Sequence, residues 1–157
     1  MYKRQIEDAA LVLRPALAPS PLTSWVLAAG PHFVDVEIDA EVTVPGGAGG
    51  AALVLSYRDP LDYWMVLLPP GAPAALVEVV SGTAHTAACS GSRALDPLTS
   101  APVSLRAARE RLTVTVAEDE VLSCELPLLP RGLAGLGLPS GTSELRIVTF
   151  DVRRATP

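Results

Sequence analysis

The stretch VEIDAEV, residues 36–42, holds three carboxylates spaced two apart, Glu37, Asp39 and Glu41, with Asp35 directly before it. Side chains alternate along an extended strand, so all three share one face, with neighbours roughly 7 Å apart. Carboxylates in such an array can act as acid, base or nucleophile at a glycosidic bond. A retaining pair stands roughly 5–5.5 Å apart there, and on a curved strand residues i and i+4 can lean together. The bland alternative needs no chemistry. Val36, Ile38, Ala40 and Val42 fill the other face, and an acidic row is what a strand with one dry side shows to water. The supply of rings favours the bland reading, because two Trp, three Tyr and two Phe leave little to frame a sugar.

A second candidate follows the turn RDPLD. Trp64 could be a stacking platform for a sugar, with Tyr63, Tyr57 and Arg58 around it. Tyr63 and Trp64 are adjacent, so one faces into the protein and the other out, and half-buried packing is the plainer role. Arg58, Asp59 and Asp62 read as turn-stabilising groups. A calcium ion would want six to eight oxygens, and only two carboxylates cluster here. His32 and His85 lie far apart, with no Cys or acid at metal-ligand spacing, so both are expected in loops at the surface. PGGAGGAA lacks the Lys-Ser/Thr of a phosphate loop, and no serine sits in a nucleophile elbow. No metal or cofactor is expected.

The elements that must position these groups are strands. Turn residues punctuate the chain every eight to twelve positions or so, and no segment holds a 3.6-residue apolar period for three turns. The best helical candidate, VSLRAARERLTV, resolves into two alternating runs, Val103 to Ala108 and Leu112 to Val116, around a turn at Arg109-Glu110. Further strands are expected at 10–14, 24–28, 33–44, 51–57, 62–68, 74–80, 83–88, 121–126, 133–138 and 145–152. Residues 51–57 are almost continuously apolar and read as a central strand. The sum is eleven to twelve strands, which exceeds a seven-stranded immunoglobulin domain. The expected architecture is all-β: one antiparallel two-sheet jelly-roll sandwich spanning 1–157.

Bulk properties narrow the function. A chain of 157 residues suits one domain with a core of its own. The net charge of −5 argues against nucleic acid and anionic membrane surfaces as partners. No window holds the ~18 apolar residues of a membrane span. The opening MYKRQIEDAALVLRP, with Glu7 and Asp8, does not read as a secretory signal. The expectation is therefore a cytoplasmic protein, in a particle or complex, with Cys89 and Cys124 as two free buried thiols. The chain contains no Asn, which excludes N-glycosylation sequons and removes a side chain that reads sugar hydroxyls with both a donor and an acceptor.

Three segments, HFVDVEIDAEVTV, GGAALVLSYRDPLDYWMVLL and GLAGLGLPSGTSELRIVTFDVRR, carry a family likeness. They span Phe33 to Arg153. Their order resembles the concanavalin A-like lectin/glucanase sandwich, close to its laminin-G-like and keto-disaccharide hydrolase-like branches. That resemblance implies two stacked antiparallel sheets, one concave, with the terminal strands close together. It also implies, for the family-16 glucanase pattern, Glu37 as nucleophile, Asp39 as mediating acid and Glu41 as acid/base. Three functions follow. The first is a non-catalytic binding or assembly module that meets other protein subunits. The second is a carbohydrate-binding module using Trp64, Tyr63, Tyr57 and Arg58 on the concave sheet. The third is a small glycoside hydrolase using the three carboxylates.

Overall fold

The computed structural model describes residues 3–7, 10–16, 21–29, 32–47, 49–85, 88–126, 129 and 131–156. Fourteen strands run through them: β1 (Lys3–Glu7), β2 (Ala10–Arg14), β3 (Leu22–Leu27), β4 (Val36–Thr43), β5 (Ala51–Asp59), β6 (Asp62–Leu68), β7 (Ala75–Val80), β8 (Thr83–Ala84), β9 (Cys89–Ser90), β10 (Ala101–Ala108), β11 (Arg111–Val116), β12 (Asp119–Glu125), β13 (Leu133–Pro139) and β14 (Leu145–Arg154). The described residues contain no α-helix, and no helix is long and apolar enough to cross a membrane. The first sheet runs β1-β2-β14-β4-β10-β11-β12, and the second runs β3-β13-β5-β6-β7-β8 with β9 also on β7. The expected all-β two-sheet antiparallel sandwich is what forms. The terminal strands lie together, since β2 pairs with both β1 and β14.

Strand β4 shows how alternation builds the core. Val36, Ile38, Ala40 and Val42 are buried, whereas Glu37, Asp39 and Glu41 are half-buried on the opposite face. In register beside them on β10, Ala107, Leu105 and Val103 turn the same way. Leu53, Leu55, Val66 and Leu136 of the second sheet close on them from the other side. Fully burying a side chain such as Ile38 is worth about 1.5–3 kcal/mol, which ties strand register to stability. Strand β5 differs. All of Ala51–Tyr57 is buried, as expected for a continuous apolar run in a central strand. Leu53 and Leu55 face the inter-sheet core, while Ala52 and Val54 join a second apolar cluster on the outer side of the second sheet.

The strand count exceeds the expected eleven to twelve. Strand β1 was not anticipated, and the expected run 83–88 holds two short strands, β8 and β9, at and beyond its ends. Thr86 and Ala87, and residues 17–20 of the Pro-rich link, lie outside the described residues. Phe33 meets Gly132 in an isolated bridge ahead of β4. The turn expected at Arg109-Glu110 forms, with both residues at positive φ.

One expectation is overturned. Cys89 and Cys124 are not free thiols but a disulfide, with Cα atoms 6.2 Å apart. The bridge ties β9 on the second sheet to β12 at the edge of the first. The two cysteines are separated by 35 residues, and only the stacking of the two sheets makes them neighbours.

Candidate functional site

The three carboxylates of β4 lie on the outer face of the first sheet. Register sets Glu37 between Arg106 of β10 and Arg153 of β14. Arg106 Nη1 donates to Glu37 Oε1 at 2.5 Å, and Arg153 Nε donates to Glu37 Oε2 at 2.9 Å. The Nη2 of Arg153 lies 2.7 Å from Asp39 Oδ2, and its Nη1 donates to Asp151 Oδ2 at 2.7 Å. Arg106 also donates to the backbone carbonyl of Thr156, which pins the C-terminal segment to this face. Hydrogen bonds to Asp151 and then Asp39, reinforced by the charges of Asp39 and Glu37, hold the Arg153 guanidinium above its ordinary range. Both oxygens of Glu37 are therefore engaged by cations in a ladder across three strands. Glu41 stands further along β4, in a groove of about 350 Å³ with Asp39, Ser104, Thr115, Glu118 and Thr149. No aromatic ring lines that groove.

Four aromatic residues, Trp25, Tyr57, Tyr63 and Trp64, lie on strands of the other sheet. Tyr63 and Trp64, adjacent on β6, face opposite ways. Tyr63 is 1% exposed within the outer cluster, and Trp64 packs against the inter-sheet core. Simple alternation from Leu53 and Leu55 would turn Tyr57 inward as well. A register shift between Leu55 and Asp59, with Ser56 at φ 48°, turns it outward instead. Gly132 permits this irregularity, because a Cβ there would lie 2.3 Å from the Ser56 carbonyl carbon.

Tyr57 then stacks on Tyr63 with ring centroids 5.9 Å apart, and Trp25 of β3 meets Tyr57 at the same 5.9 Å, tilted by 43°. The backbone N–H of Leu22 donates to the Tyr63 hydroxyl at 3.4 Å. Leu22 and Tyr63 sit on strands three spacings apart in the sheet, about 14 Å if the sheet were flat. Their contact requires the sheet to curl toward this side, so the outer face of the second sheet is the concave one. Burial first, then the charges of Asp59 and Tyr63, push the Tyr57 hydroxyl up to about 12, so it stays protonated and able to donate.

At the rim, Arg58 stands exposed, in no ion pair among the described residues. Asp59 Oδ1 accepts the Leu61 N–H at 2.8 Å, and Asp62 Oδ1 accepts the Ser81 N–H at 3.3 Å. These two carboxylates therefore organise the β5–β6 and β7–β8 turns. No group of three or more His, Cys, Asp or Glu that could hold a metal occurs among the described residues. His32 and His85 are both exposed.

The structure brings Tyr57, Tyr63 and Arg58 to one end of the concave face, puts Trp64 on the opposite face, and sets Glu37, Asp39 and Glu41 on the other sheet. Sequence reasoning missed Trp25 as a member of the aromatic cluster. Its position in a strand was legible, but nothing local links it to Tyr57 across β13.

No protein-family model and no curated protein sequence matches the chain. Solved structures do match. The carbohydrate-binding module CBM66 from Bacillus subtilis superposes with a TM-score of 0.78 at 13% identity, covering 98% of this chain and 92% of that one. A Bacillus subtilis protein of unknown function with a galectin-like fold gives 0.68 at 13% identity, over 99% and 88% of the two chains. Xenopus laevis galectin-Ib gives 0.61 at 7% identity, over 83% and 100%. At these identities the likeness concerns the fold alone. The chain has the galectin-like, concanavalin A-like β-sandwich fold.

Proposed function

We propose that this chain is a glycan-binding module that holds its ligand without cleaving it. The observation that carries this reading is the likeness to a carbohydrate-binding module at a TM-score of 0.78, spanning 98% of this chain and 92% of that one. The whole chain thus corresponds to one whole binding module. Support comes from the concave face, where Trp25, Tyr57 and Tyr63 cluster, the first two at 7% and 8% exposure. A sugar presents apolar C–H faces and polar hydroxyls together, and aromatic side chains beside a few polar groups match both. Tyr57, 8% exposed, keeps its hydroxyl protonated and able to donate. Arg58 supplies donors, and the exposed Leu61 and Val80 of the neighbouring turns supply apolar surface. The ladder on β4 supports scaffolding rather than hydrolysis, because Arg106 and Arg153 occupy both oxygens of Glu37.

A glycan array, followed by calorimetry on its hits, tests the reading. At least one oligosaccharide or polysaccharide should bind. Arg58→Ala and Tyr57→Phe should weaken that binding, the former by roughly tenfold or more. Trp64→Phe should leave it unchanged, because Trp64 faces the inter-sheet core. An array with no hits, read with protein whose circular dichroism shows a folded β-sandwich, would overturn the proposal.

A further inference from the structure

Among the described residues, one length of chain crosses the side of the sandwich between β7 and β12. Residues 91–100 leave β9 on the second sheet and cross to β10 on the first. The crossing lies directly on β12, because a Cβ at Gly91 would come within 2.2 Å of the Val121 carbonyl oxygen. Its interior residues are inserted into the core, with Leu95 6% and Leu98 1% exposed. Backbone bonds hold those two: Leu95 N–H donates to Ala72 O at 3.0 Å, and Val44 N–H donates to Leu98 O at 2.8 Å. The start of the crossing has less. Gly91 N–H donates to Ala74 O at 2.7 Å, and Arg93 pairs with Asp119 at 3.0 Å between two exposed side chains, a kind of contact worth little in water. Toward the edge strand β12, the one covalent tie is Cys89–Cys124.

We infer that this bridge is the bolt of that side, and that the working form of the chain is the oxidised one, made in an oxidising compartment. The reaction balances simply. The two thiols lose two electrons and two protons to the disulfide of a thiol–disulfide oxidoreductase or of glutathione. The carrier leaves as two thiols, and one S–S bond joins Cys89 to Cys124. Structural disulfides of this kind persist in secreted and periplasmic settings and not in a cytosol kept reduced. Cys124 is 4% exposed and Cys89 is half-buried, so a small thiol meets the closed bridge from the Cys89 side. With the bridge cut, the crossing keeps Leu95 and Leu98 but is left on β12 with the Gly91–Val121 approach and the exposed Arg93–Asp119 pair, and the outer edge of β12 pairs with no strand among the described residues.

The test uses the full chain, produced once by export to a bacterial periplasm and once in a reducing cytosol. Free thiols are alkylated before unfolding, and the peptides are then mapped. The exported protein should yield a Cys89–Cys124 cross-linked peptide and no alkylated cysteine. Its hydrogen exchange over residues 91–98 and 119–125 should accelerate by roughly tenfold or more on reduction under native conditions, with little change in β4 and β5. The double variant Cys89→Ser, Cys124→Ser should exchange like the reduced protein and ignore reductant. Because the reduced wild type reports the same state, the reading survives a variant that fails to fold. Two alkylated thiols in the exported protein, or an exchange pattern that reduction leaves unchanged, would overturn the inference. So would a bridge formed equally in the reducing cytosol.

Discussion

Ser24 has a buried hydroxyl with no hydrogen-bond partner among the described residues. On β3 the outward Trp25 and inward Val26 bracket the alternation, and Ser24, at 0% exposure, stands opposite Leu138 of the core. An unpaired buried hydroxyl costs about 1–3 kcal/mol, and alanine fills nearly the same space. Ser24→Ala should therefore raise stability by about 1 kcal/mol, seen as a higher urea midpoint with an unchanged slope. Tyr57 makes the opposite kind of prediction. Unfolded, it ionises near its ordinary 10.0, whereas folded it does so only at about 12. Below pH 10.0 both states keep the proton and stability is unaffected by this group. From there to about 12 the unfolded chain sheds a proton that the folded chain retains, so stability falls as pH rises. Equilibrium unfolding followed across that window should show the loss, and Tyr57→Phe should diminish it.

Two hairpins at the element scale carry avoidable strain. The turn between β10 and β11 places Arg109 at φ 51° and Glu110 at φ 62°, and the one between β11 and β12 places Ala117 at φ 50° and Glu118 at φ 70°. Two consecutive residues at positive φ match the twist of tight hairpins, but only Asn, Asp and Gly adopt that conformation cheaply. Arg109→Asn combined with Glu110→Gly should stabilise the protein by about 0.5–1 kcal/mol, measured by thermal unfolding, without changing the sheet register. The β10–β11 turn sets Arg106 opposite Thr113, and the separate pairing of β10 with β4 sets it opposite Glu37.

At the scale of the whole molecule, two stacked sheets share one core, and the Cys89–Cys124 bridge closes a loop between them. Its 35-residue separation corresponds to about 4 kcal/mol from loop-closure entropy in the unfolded chain. A loss near that size on reduction, read from guanidinium unfolding with and without reductant, is the expected outcome. The concave face also belongs to this scale. Its cluster needs Trp25 from β3, Tyr57 from β5 and Tyr63 from β6, together with the curl that brings Leu22 to Tyr63. A change at any one of them tests a surface assembled from the entire second sheet.

Local pattern by itself determined much of this protein. The alternation in VEIDAEV named both the buried and the wet face of β4, the continuous apolar run 51–57 named the central strand, and Arg109-Glu110 named a turn. Each follows from period-two geometry within a few residues, which needs no knowledge of neighbours. Tertiary structure decided the rest. Tyr57 faces outward because an irregularity at Ser56, admitted by Gly132 just ahead of β13, breaks the count. Glu37 is held between arginines because β10 and β14, distant in sequence, flank β4. Cys89 finds Cys124 because one sheet stacks on the other. These are facts of strand order and stacking, set by the burial of the whole apolar surface at once, and no short window of residues contains them.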